Sequence, residues 1–156
     1  MGAWFRWIRE IWLGRRLLGQ VVERATAVVT AATVPLFTVS GGRILVTSIV
    51  GEITIVMQNL ACNVRLQATP TVGSARAICQ NLNIQAYALG DLLGITGVNT
   101  DAMLPPASGG SIEAQTMPVV VKAGTIALVG SAAPTGSIRW TLHYMPLDSG
   151  ASVVAA

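Results

Sequence analysis

From Gly136 to Leu147 the chain reads Gly-Ser-Ile-Arg-Trp-Thr-Leu-His-Tyr-Met-Pro-Leu. Ile138, Trp140, Leu142 and Tyr144 fall on one side, and Ser137, Arg139, Thr141 and His143 on the other. A two-residue period built from β-branched and aromatic side chains is the pattern of a strand with one buried face. The size of Trp140 and Tyr144 predicts that this strand runs through the middle of a core. The chain from about residue 26 onward reads as the sheet that this strand joins.

The remaining sequence supplies candidates. Val34–Val56 holds two β-rich runs around Ser40-Gly41-Gly42, which predicts a hairpin. The second run is long, about 43 to 57, and Gly51 reads as a bulge or bend within it. Pro35 lies at the start of its strand, where a missing N–H is tolerated. Asn63–Ala68 alternates and is closed by Thr69-Pro70 and Gly73. Ala75–Leu82, Ile84–Leu89 and Leu92–Ile95 read as further strands. Asn99–Gln115, with Pro105-Pro106 and Gly109-Gly110, reads as a long loop. Met117–Lys122 and Thr125–Gly130 complete a meander, and Asp148–Ala156 reads as an extended apolar arm. Short strands separated by Gly/Pro turns, with no βαβ rhythm, predict an all-β fold: an antiparallel β-sandwich, jelly-roll-like, over residues 26–156.

Residues 1–25 read differently. Trp4, Trp7, Ile8, Ile11, Leu18 and Val22 recur at spacings of three and four, widened by Phe5, Trp12 and Leu13, which predicts an amphipathic helical arm through Arg24. Gly14 and Gly19 weaken it, so such a helix needs a surface to lie on. Ala25–Thr33 then reads as an extended connector. Residues 1–24 carry five arginines and two glutamates, which is the whole net charge of +3. A secretory signal is disfavoured because Arg15-Arg16 interrupts the apolar region. A membrane-interface helix is the alternative, testable by flotation of the 1–24 peptide with anionic liposomes. The preferred reading is an arm packing on neighbouring subunits, with Trp4, Trp7, Ile8, Ile11, Trp12, Arg15 and Arg16 as partner-binding residues.

Only 11% of the 156 residues are charged, and the mean hydropathy is +0.60. An ordinary soluble domain carries about 25% charge, so a membrane or other subunits must cover part of the surface. The one long uncharged stretch, Ala25–Gly42, contains Pro35, threonines and a Gly-Gly pair, which suit strands and turns better than a spanning helix.

Chemistry is sparse. His143 sits on the outward side of its strand with no nucleophile or carboxylate pattern beside it, and reads as facing solvent or an interface. Glu52, Asp91, Asp101, Glu113 and Asp148 are scattered, suggesting neither a metal cluster nor an acid–base pair. Gly130–Gly136 lacks the lysine of a phosphate loop. Cys62 and Cys79 have no metal spacing; two buried thiols is the plain reading, and one disulfide stays open. The neutral sheet, poor in surface aromatics, offers no stacking platform for nucleic acid. A carbohydrate-binding reading ranks last, because the 99–115 loop has no tryptophan or tyrosine. No enzyme and no cofactor are expected.

Pro35-Leu-Phe-Thr-Val-Ser-Gly-Gly-Arg-Ile-Leu-Val-Thr-Ser-Ile-Val-Gly-Glu-Ile-Thr54 and Gly136–Ala156 resemble the two ends of a group of small virion proteins of tailed bacteriophages. The resemblance covers residues 34–156 and rests on strand sequences; the tryptophan-rich segment 1–24 has no counterpart in it. It implies a non-enzymatic structural protein located in the virion, an oligomeric β-sandwich of the capsid-decoration (cement) kind. Its implied partners are itself, as a homotrimer, and other virion proteins such as the major capsid protein. A tail, baseplate or fibre component is the alternative, and neither specific nucleic acid nor a membrane is an expected partner.

Overall fold

The computed structural model describes residues 19–156. They form eleven β-strands in two antiparallel sheets, with no helix among the described residues. In chain order these are β1 (Gln20–Val28), β2 (Thr33–Ser40), β3 (Ile44–Ile55), β4 (Asn63–Pro70), β5 (Arg76–Ala77), β6 (Leu82–Asn83), β7 (Leu92–Leu93), β8 (Val119–Val121), β9 (Gly124–Gly130), β10 (Ser137–Pro146) and β11 (Ser152–Ala155). The first sheet has the order β1-β10-β3, with β7 and β8 sharing the far edge of β3. The second has the order β11-β2-β9-β4, with β5 and β6 sharing the far edge of β4.

The alternating segment is β10, paired along its length with β1 on one side and β3 on the other. Ile138, Trp140, Leu142 and Tyr144 are at most 2% exposed and face the second sheet. Phe37, Val39, Val64, Leu66, Ile126 and Leu128 meet them from that sheet, so the core is one layer between two faces. Gly51 pairs with Trp140 without any shift of register; the register shifts of this pair lie elsewhere, beside Ser137 and His143. A Cβ at Gly51 would stand 2.9 Å from the Trp140 ring. The glycine therefore makes room for the indole, and the expected bulge there is corrected.

The bulge that matters in the second sheet is on β2. Pro35 pairs with Ala127 and Phe37 with Ile126, so Leu36 is the extra residue. That insertion lets two consecutive side chains, Leu36 and Phe37, both enter the core.

Four further expectations are corrected. The Ser40-Gly41-Gly42 turn is not a hairpin: β2 and β3 belong to different sheets, and the turn is a corner between them. Gly41 and Gly42 take φ of +74° and +142°, and Asp148 crosses the corner to bind Arg43. The helical arm cannot extend through Arg24, because Gln20–Val28 is a strand laid along the edge of β10. Pairing with a long buried neighbour outweighs the helical spacing of Leu18 and Val22, so the sandwich begins at Gln20 and not at residue 26. Residues 75–89 give only β5 and β6, because the chain turns at Gln85–Ala86. Finally, Asp148–Ala156 is no free arm: β11 pairs with β2 as an edge strand.

Tyr144 ties the two sheets together at that flank. Its hydroxyl donates to Gln20 Oε1 at 2.8 Å on β1 and accepts from the Val153 N–H at 3.2 Å on β11. Cys62 and Cys79 are free, buried thiols. Cys79 Sγ accepts the Leu66 N–H at 3.3 Å, and burial pushes this thiol up from its ordinary range. Tyr87 is buried and donates its hydroxyl to Pro105 O at 2.8 Å, holding the long 99–115 loop against the domain.

Candidate interaction surfaces

The outer faces of the two sheets differ in charge. On the first sheet, Arg139 and Glu52 lie opposite each other on β10 and β3 and form an ion pair, and Glu23 stands opposite Thr141 on β1. His143 points outward with them, between Val21 and Ser48, and is half-buried. Its outward placement matches the sequence reading. These charged and titratable side chains share the face with Val21 and Val120, which are also exposed.

The outer face of the second sheet does not carry such charge. Across the strands, one rung runs Val154, Thr38, Thr125, Thr69; the next runs Pro35, Ala127, Gln67, Ala77; a third runs Thr33, Val129, Arg65. Arg65 is the one charged residue on these rungs. Ala127 is only 1% exposed although it faces outward, because Pro35 and Gln67 flank it. The Arg65 Nε is buried without a hydrogen-bond partner. Threonine and alanine thus dominate this face, with Arg65 as its one cation on these rungs.

A second feature is a groove of about 580 Å³ on the flank of the sandwich opposite β1 and β11. Its walls are β5 with Ile78 from the second sheet and β8 from the first; Ala68 and Pro70 also line it, as does Gly97–Asn99. Met117 and Val120 are each 56% exposed beside it. The lining holds two cations, Arg76 and Lys122, and no carboxylate. The sequence reading missed this site, because four separate segments build it and each looks like an ordinary strand or turn. The signal available was the run Val119-Val120-Val121, too apolar for an edge strand with one solvated side.

The partner-binding residues chosen from sequence, Trp4, Trp7, Ile8, Ile11, Trp12, Arg15 and Arg16, lie outside the described residues. Among the described residues no three His, Cys, Asp or Glu side chains gather as metal ligands would, and no helix is long and apolar enough to cross a membrane. No protein-family model, curated protein or solved structure matches the chain.

Proposed function

We propose that this chain is a structural subunit of a protein assembly, packing through the outer face of its second sheet against copies of itself and neighbouring proteins. In its most specific form the assembly is a tailed-phage particle and the chain a capsid-decoration protein. The charge-poor rungs through Thr38, Thr125 and Ala127 carry the reading, because a solvated sheet face ordinarily bears alternating charge. Two further features support it. The strand order β1-β10-β3-β7/β8 over β11-β2-β9-β4-β5/β6 supports a jelly-roll reading with β11 as an added edge strand, an architecture shared by viral capsid, lectin and cupin domains. Fold alone does not choose among those. The second feature is in the sequence: three of four tryptophans and the whole net charge lie in the first 24 residues, suited to anchor a subunit on a partner.

Sedimentation velocity of the full chain tests the face. The wild type is expected as an oligomer, and Thr38→Glu with Thr69→Glu as a folded monomer, since carboxylates on one rung must be desolvated in the contact. A variant that keeps the wild-type oligomer would remove the second sheet from the interface.

A further inference from the structure

We propose that the groove between β8 and β5 is a docking site for an extended, acidic segment of a partner protein, which adds as a strand to the free edge of β8. This site is separate from the outer face of the second sheet and stands whether or not that face packs on neighbours. Its walls carry the argument. β8 pairs with β3 on one side, and no strand among the described residues pairs with its other side. β5 likewise pairs with β4 alone. The groove thus runs between two strand edges, one from each sheet, with main-chain donors and acceptors on both. Exposed edges of this kind are either blocked or used to capture a strand.

The side chains indicate what kind of strand. An added strand lies about 4.8 Å from β8 and turns alternate residues to opposite sides. Val120, Met117 and Val98 offer apolar contacts, while Arg76 and Lys122 flank the groove. Arg43 and Arg139 each hold a carboxylate, whereas among the described residues Arg76 and Lys122 hold none. Two uncompensated cations beside an apolar floor complement a segment that alternates apolar and acidic residues. A basic segment is opposed by the same charges. An apolar small-molecule anion would use the cations but would leave both strand edges idle.

Titrating the full-length ¹⁵N-labelled chain with an alternating glutamate–valine hexapeptide tests this. Saturable shifts confined to residues 74–78, 97–99 and 117–122 are expected, with slowed amide exchange in β8. Arg76→Glu with Lys122→Glu, both at exposed positions, is expected to weaken binding about tenfold or more and to favour the lysine–valine counterpart. Arg76→Gln with Lys122→Gln keeps the test available should the reversal disturb folding. Equal binding of the two peptides by the wild type, shifts elsewhere, or no shifts at all would overturn the proposal. So would dodecanoate moving these residues while the peptide does not, or the same shifts arising with protein concentration alone.

Discussion

Gly51 and Trp140 show how a single missing methyl group positions the largest core side chain. The indole edge reaches across β3 to where a Cβ would be, 2.9 Å away. Gly51→Ala is therefore expected to cost about 1–3 kcal/mol in urea unfolding, and less in a Trp140→Phe background, whose shorter ring does not reach as far. Tyr144 makes a different contribution. Tyr144→Phe leaves the Val153 N–H, in a residue 6% exposed, without its acceptor. The expected cost is about 1–3 kcal/mol, with faster amide exchange at Val153. Asp148 supplies the pH dependence. The Arg43 side chain, and then its backbone N–H, hold this carboxyl at about 2 against an ordinary 3.8. A depressed carboxylate stabilises the fold above its unfolded value and loses that contribution as the proton binds. Urea midpoints should thus fall between about pH 4 and pH 2, and Asp148→Asn should remove that part of the acid limb.

At the scale of elements, what was legible in the sequence depended on whether neighbours in space were neighbours in the chain. β10 was legible because its buried face imposes a two-residue period through four large side chains. β1 was not. Its inward positions are Gln20, Val22, Arg24 and Ala27, two of them polar, and the register shift between Arg24 and Ala27 breaks the period. The corner at Gly41-Gly42 shows the same limit, because turn chemistry states that the chain reverses but not which sheet receives it. β11 was hidden for want of a local partner; β2, which holds it, lies over a hundred residues earlier. Of the candidate sites, the low charge was visible as a composition. Its concentration on one face required knowing which strands lie side by side. The corrected boundary has a testable consequence. Removing residues 1–18 should leave the sandwich folded, with near-wild-type melting. Removing residues 1–24 takes away the first five residues of β1, uncovers the β10 edge, and should lower the melting temperature by several degrees or more. Circular dichroism melts of the two truncations distinguish these outcomes.

For the whole molecule, the order in which the chain visits its two sheets dominates. From β1 to β4 and again from β8 to β11 the sheets alternate at every step, the shortest crossing being Lys122–Ala123 between β8 and β9. Every central pairing therefore joins distant parts of the chain, the topology for which folding is slow, in the millisecond-to-second range. Stopped-flow refolding followed by Trp140 fluorescence, in a chain lacking residues 1–18 and hence the other tryptophans, should give such times. A break near Gly109-Gly110 would leave a first piece with β1 to β7 and a second with β8 to β11. In the first piece β1 and β3 miss β10 between them, and β2 and β4 miss β9. The two pieces interleave like the teeth of a zip. Each should be unfolded alone, and mixing them should restore one folded body, which would make this domain a two-part reporter that signals only when its halves meet.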